Sequence, residues 1–335
     1  MTLLVAVDVG YGFTKTVTET TMASFPSTVA VPRMGGDVTA RGDGETSKYR
    51  MSLSERGEAP REWLVGEAAL LAGAERTWET EASQRFGYRE LIYAGCSAVE
   101  AEGDVDLAVG LPLAVWRRRE ERQALQARLA NMAGNVSLNR GFQRALQVRT
   151  VRVFAQGLGC FVAENANAQE NKGLFTGNPV GVLDIGYRTT DFVLLVPDGG
   201  HGVTPSDEHA GSADVGIGAV YRGVGRRLQR ETGRLLSRTI VEDAIRHGRP
   251  LLVSGKPVDW SQHMESEAAA AAQLLRTELA QMWDHYWDTL GCLLITGGGG
   301  ETLWPALRGM HPMAKLATSP VYGNARGFLA ILAES

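Results

Sequence analysis

The stretch Leu3-Leu-Val-Ala-Val-Asp8-Val-Gly10-Tyr11-Gly12-Phe13-Thr14-Lys15 opens the chain, and its pattern returns at Val180-Gly-Val-Leu-Asp184-Ile-Gly186-Tyr187-Arg188-Thr189-Thr190-Asp191. Each stretch is an apolar run that reaches an Asp, passes through a Gly-containing turn with a Tyr, and leaves through a Thr and a charged residue. A short apolar run followed by Gly reads as a buried strand feeding a turn. The two copies stand about half a chain length apart, and self-similarity at so long a period points to two related halves. The matched strand contexts make a duplicated β-hairpin domain the reading.

The chemistry this suggests is phosphate handling. Glycines let backbone N–H groups approach phosphate oxygens closely, forming a nest for an anion. An Asp at a strand end, Asp8 or Asp184, supplies a carboxylate for the waters of Mg²⁺. Lys15 adds a point charge for a phosphate. Two such hairpins facing each other are expected to clamp a triphosphate, which is the positioning and electrostatic work of phosphoryl transfer.

Composition narrows the field. The chain has 335 residues, a formal charge of −4, 44% apolar and 21% charged residues, which predicts about two globular domains. Forty residues are Gly, well above the roughly 7% average, an excess that means either a disordered linker or many tight backbone turns. No apolar run approaches the roughly 18–20 residues of a membrane span, and no basic leader precedes Leu3. Cys96, Cys160 and Cys292 are odd in number and far apart, against a disulfide framework or a Cys-based zinc site. The slightly acidic balance has no basic block, so no direct nucleic-acid footprint is expected. The expectation is a cytoplasmic protein that is neither membrane-bound nor DNA-bound.

Along the rest of the chain, period-two alternation over 48–53 predicts a hairpin strand at an edge, within a polar segment spanning 32–60. The Arg41-Gly-Asp43 triplet reads as coincidence in a loop. Residues 63–66, 105–111 and 148–154 read as strands, and 67–77, 117–130 and 158–169 as helices. The triplet from Arg117 to Arg119 reads as a solvated helix face. A helix is expected over 212–231 after a Gly-rich start. The spacing of Leu275, Leu279, Met282, Tyr286 and Leu290 predicts one amphipathic helix over 261–290. That helix runs into an apolar strand and the block Gly297-Gly298-Gly299-Gly300, and a helix over 324–333 closes the chain. Other nucleotide signatures fail. Gly255-Lys256 lacks a preceding glycine loop, and Gly216-Ile-Gly218 lacks a third Gly and a clear preceding strand.

Together these motifs resemble the actin, sugar-kinase and heat-shock-chaperone ATPase superfamily, and within it the actin-like ParM/StbA plasmid-segregation proteins. Asp8 to Lys15 is similar to the family's first phosphate motif, and 182–191 to its second. Leu294-Ile-Thr-Gly297-Gly298-Gly299 is similar to its adenosine motif, where glycines let backbone lie against base and ribose. Phe25-Pro-Ser27, Leu64-Val-Gly-Glu67 and Tyr322-Gly-Asn-Ala-Arg-Gly327 are similar to further segments, the last being the second connecting helix.

The resemblance implies an α/β fold of duplicated actin-like, ribonuclease H-like domains with a nucleotide cleft between them. Domain I would take 1–157 plus 322–335, and domain II 158–321. ATP, with GTP as an alternative, and Mg²⁺ would be the cofactors. Asp8, Gly10, Tyr11, Gly12, Phe13, Lys15, Gly186, Tyr187, Arg188, Thr189, Gly216, Gly297, Gly298 and Gly299 would contact nucleotide. Asp8 and Asp184 would hold Mg²⁺ through water. Gln156 falls where the family places the residue that orients the attacking water, with Asp184 and Asp191 as further catalytic positions. A Gln holds water but is a poor base, so hydrolysis would be slow. The implied function is an ATPase that polymerises into filaments and segregates plasmid DNA through an adaptor, with 32–60 as a candidate longitudinal contact. A sugar-type kinase and a non-polymerising scaffold ATPase are the alternatives.

Overall fold

The computed structural model describes residues 2–32, 48–74, 86–168, 177–199 and 202–334. Two compact units divide the chain, Met1–Asn171 with Val321–Ser335, and Lys172–Pro320. The Arg41-Gly-Asp43 triplet and most of the polar segment lie outside the described residues.

In the first unit, β1 (Leu3–Val9), β2 (Phe13–Val17) and β3 (Met22–Pro26) form an antiparallel meander. Then come β4 (Val29–Ala30), β5 (Lys48–Glu55), β6 (Arg61–Gly66), α1 (Glu67–Leu71), α2 (Tyr88–Ala98) and β7 (Gly103–Leu111). The unit continues through α3 (Leu113–Trp116), α4 (Arg119–Leu129), β8 (Ala133–Leu138), β9 (Arg144–Ala155) and α5 (Leu158–Ala168). Among the described residues its strands make one sheet in the order β3-β2-β1-β7-β9-β8-β5-β6-β4. At the centre β1, β7 and β9 run parallel; the apolar, buried runs Val5–Val7 and Leu107–Leu111 suit strands covered on both faces, while β9 alternates buried and exposed positions. Leu91 and Ile92 of α2 pack into the core with Val5, Val7, Leu107 and Val109.

The strand over 48–53 is not at an edge, because β5 lies between β8 and β6. Its alternation reports only that Tyr49, Met51 and Leu53 are buried. Side-chain facing and sheet neighbours are perpendicular directions, so alternation is silent on the latter. The helix expected over 67–77 ends at Leu71, and its positions from 75 onward lie outside the described residues.

The second unit contains β10 (Val180–Ile185), β11 (Thr190–Pro197), β12 (Val203–Ala213), α6 (Ile217–Thr232) and α7 (Arg238–Arg246). The short hairpin β13 (Leu251–Val253) and β14 (Lys256–Val258), α8 (Ser261–Trp283), β15 (Cys292–Thr296), α9 (Gly297–Leu307) and β16 (Ala314–Leu316) complete it. Its main sheet has the order β12-β11-β10-β15-β16, antiparallel over the first three strands and parallel over the last three. That repeats the order and directions of β3-β2-β1-β7-β9 in the first unit. The duplication read from two short motifs therefore holds for a five-strand topology.

The helix expected over 261–290 stops at Trp283. Asp284 takes a φ of 40°, and a 3₁₀ segment over Asp284–Thr289 follows. Of the residues in the expected apolar stripe Met282 is exposed, and Trp283, Trp287 and Leu290 are the buried side chains on either side of the break.

The closing helix α10 (Gly323–Ala333) returns to the first unit and crosses α5. The Gly157 amide donates to Asn324 Oδ1 at 2.8 Å, and Phe328 stacks on Phe154 with ring centroids 5.6 Å apart. A Cβ at Gly327 would collide with the carbonyl oxygen of Gly159, so the backbones touch here. This crossing holds α5 in the first unit, whereas the expected boundary after 157 precedes it. Gly327→Ala should destabilise the protein by about 1–3 kcal/mol through overpacking, read as a lower urea midpoint. An unchanged midpoint would show that the crossing has slack.

Candidate functional site

Within the first unit, the turn between β1 and β2 is closed by the Gly10 amide donating to the Phe13 carbonyl at 3.0 Å. That closure sets the register in which Asp8 lies opposite Lys15. Asp8 is 2% exposed. Its Oδ2 accepts from Lys15 Nζ at 3.1 Å, and its Oδ1 accepts from Gln156 Nε2 at 2.6 Å. Gln156 is held from behind by its own amide, which donates to the Leu111 carbonyl at 2.8 Å. The expected residues Asp8, Gly10, Lys15 and Gln156 thus converge, and the Gln156 side-chain oxygen is left to face other partners.

Tyr11 and Phe13, half-buried, sit on the same turn. Gly12 is buried there, and its carbonyl accepts from the Ser27 amide at 3.0 Å. Ser27 also bonds Thr14, with hydroxyl oxygens 2.9 Å apart. This brace carries no signal in the sequence beyond the Phe25-Pro-Ser27 segment. Tyr322 lies near Lys15 and its hydroxyl bonds Ser24. Burial pushes its pKa up, while Lys15 and Ser24 pull the other way.

Within the second unit the same geometry recurs with different charges. The Gly186 amide donates to the Thr189 carbonyl at 2.9 Å, and Asp184 lies opposite Asp191. Facing carboxylates repel each other, whereas the first turn places an ammonium opposite its carboxylate. Among the described residues no group of three His, Cys, Asp or Glu side chains could hold a metal by itself. The residues present fit Mg²⁺ only in the manner usual for that ion, with one or two carboxylates and the remaining positions filled by water and substrate phosphate.

The start of α6 braces this turn. The Ile217 amide donates to the Gly186 carbonyl at 3.1 Å and the Gly218 amide to the Tyr187 carbonyl at 2.9 Å. A Cβ at Gly216 would lie 2.5 Å from the Tyr187 carbonyl oxygen. Gly216 is therefore needed for close packing beneath the turn. Arg188, on the turn, lies 3.8 Å from Asp214, and Thr189 is half-buried.

Tyr187, expected to touch nucleotide, has its side chain buried inside the second unit. Its hydroxyl donates to Glu242 Oε2 at 2.5 Å and accepts from Arg238 Nη2 at 2.8 Å and Nε at 3.1 Å. Glu242 is 3% exposed. Neither Glu242 nor Arg238, both on α7, was legible as a site residue, because nothing in a lone amphipathic helix tells which carboxylate is turned inward.

Gly297, Gly298 and Gly299 open α9 directly after β15. Gly297 has a φ of +84°, and a Cβ there would lie 2.5 Å from Asp184 Oδ1. The adenosine-motif and second-turn residues are thus brought against each other. A Cβ at Gly298 meets nothing within 4 Å, and the Gly297 amide donates to the Pro320 carbonyl at 3.0 Å.

Residues 6–159 match the family model described as the N-terminal domain of actin-like proteins. Residues 182–309 match that of the archaeal actin homologue MreB-like C-terminal domain. The chain belongs to the actin-like proteins. Its fold is shared by the ParM type. A subunit of a 15-stranded ParM filament from Clostridium botulinum is 18% identical with a TM-score of 0.85, covering 100% of this chain and 99% of that one. A non-polymerisable quadruple mutant of pCBH ParM is 18% identical at a TM-score of 0.83, covering 100% of both chains. An archaeal actin homologue in complex with ADP is 20% identical at a TM-score of 0.79, covering 99% of this chain and 100% of that one. No curated protein matches the chain by sequence.

Tyr187→Phe tests the buried network. It removes one partner from Glu242 and one from Arg238, and should cost about 1–3 kcal/mol of stability. Chemical denaturation would measure this, and a loss below about 0.5 kcal/mol would mean that the hydroxyl is not needed to satisfy the pair.

Proposed function

We propose that this actin-like protein binds ATP with Mg²⁺, hydrolyses it slowly, and assembles into filaments that segregate DNA through an adaptor. The observation that carries the reading is the repeated turn: the same Gly-closed hairpin with Asp at the strand end, once opposite Lys15 and once opposite Asp191. A duplicated phosphate-type turn of complementary charge is what a magnesium nucleotide requires, since its phosphates seek the cation and its metal the carboxylates.

In this reading Lys15 shares its charge between Asp8 and phosphate oxygens, and Asp8 and Asp184 accept from waters of the metal. The metal supplies charge neutralisation of the phosphates. Gln156, with its amide nitrogen committed to Asp8, offers its side-chain oxygen to a water proton. That orients a nucleophile without taking its proton, consistent with slow turnover. Gly298 and its neighbours in α9 would receive the nucleoside. The filament reading draws support from the ParM filament subunit that shares this fold. Head-to-tail contacts whose rotation does not close give open polymers.

Sedimentation by ultracentrifugation with ATP and with ADP tests assembly. The protein should pellet with ATP and remain in the supernatant with ADP, and an ATP-independent supernatant would exclude filament formation. Asp184→Ala should abolish Mg-ATP turnover, and wild-type turnover in that variant would sink the role given to the second turn. Gln156→Ala should lower kcat by about a hundredfold while nucleotide affinity stays within about twofold. A matching loss of affinity would make Gln156 a binding group instead.

A further inference from the structure

The helix α6 has two unlike faces. Ile217, Val220, Tyr221, Val224 and Leu228 are buried. Arg222, Arg226 and Arg230, spaced i, i+4 and i+8, share the exposed face. Several other arginines of this net-acidic chain, Arg50, Arg89, Arg144, Arg149, Arg227 and Arg249, each lie within 4.0 Å of a carboxylate. Among the described residues Arg222, Arg226 and Arg230 have no such partner. Like charges at i, i+4 oppose helix formation, and only Arg230, in the last turn, is favoured by the helix dipole. Arg238 and Arg226 also lower the pKa of Arg222, after the effect of its burial. Folding alone gives no return for this row.

Beside it is an open cavity of about 400 Å³ lined by Arg226, Gln229, Arg230 and Gly233. Two residues beyond Gly233, Leu235 is 83% exposed. A cationic row followed, five residues after Arg230 in the chain, by an exposed leucine matches a ligand with carboxylates and an apolar anchor, whereas a nucleic-acid backbone would leave the leucine unused. No helix among the described residues carries carboxylates at i, i+4 and i+8, so a second copy offers no helical counterpart to the row.

We propose that the Arg222–Arg226–Arg230 face of α6, with Leu235 at its end, docks an acidic, leucine-bearing peptide segment of another protein. Guanidinium groups suit this because their planar forks bind carboxylates in pairs. The surface is the outer face of the helix whose start braces the second Gly turn, and the proposal does not depend on the nucleotide reading.

The test uses the full chain and a fluorescent synthetic helix-forming peptide with Glu at i, i+4 and i+8 and a flanking Leu, followed by anisotropy at low salt. Binding should weaken about tenfold or more in Arg226→Glu/Arg230→Glu and in Leu235→Ser, and should weaken with added salt. Arg226→Lys, which keeps the charge and loses the fork, should lie between. Circular dichroism of each variant should match wild type, since all the altered side chains are at the surface. Three results of the binding assay would overturn the proposal. They are absence of peptide binding, binding indifferent to charge reversal, and a DNA duplex of the same length binding as tightly as the peptide. Loss of ATP-dependent pelleting in the charge-reversed variant, with peptide affinity unchanged, would assign the face to copies of this chain and would also overturn it.

Discussion

One backbone hydrogen bond in each half governs the rest of this structure. Gly10 N–H to the Phe13 carbonyl, and Gly186 N–H to the Thr189 carbonyl, close two turns of the same length and so impose the same register on two hairpins. In each, the residue seven positions after the strand-end Asp is placed directly across from it. A slip of one residue would turn every side chain to the opposite face and bury the wrong set. The buried apolar side chains of β1 and β7 make such a slip costly.

Register of this kind turns one architecture into two electrostatic environments. The backbone of the two hairpins is equivalent, yet the first holds a carboxylate–ammonium pair and the second two carboxylates. A shared fold leaves function to be argued from the groups placed on it. Here the difference rests on one residue type at equivalent positions, Lys15 against Asp191. On the proposed function, Lys15 of the first turn would be shared with a phosphate, and the second turn would contribute a carboxylate to the metal.

Buried polar contacts keep these turns in place. Asp8 is satisfied by Lys15 and Gln156, Gly12 is held by Ser27, and Tyr187 is tied to Glu242 and Arg238. Such groups are costly to bury unless each finds its partner, so the networks specify one arrangement of the turn. Packing of α6 follows the same logic. Its glycine-rich start fits tightly beneath the second turn, while its outer face is free to carry charge unrelated to folding. Cys96, whose thiol burial pushes up to about 12, is buried like Cys160 and Cys292, as structural thiols are.

The hairpins, their Asp–Gly–Tyr turns and the duplication were legible in the linear chain, because short apolar runs ending in Asp and Gly encode strand and turn locally. The strand content of 48–53 was legible too, but its position inside the sheet was not. Nor was the brace from Ser27, nor the inward turn of Tyr187 toward α7. Local sequence carries periodicity and backbone preference, which act over a few residues. Which strand lies beside β5, which carboxylate of α7 faces Tyr187, and that Gln156 reaches Asp8 across 148 positions depend on contacts between segments distant along the chain. Only packing in three dimensions brings those segments together, and the energy of burying each polar group with a partner selects which of them meet.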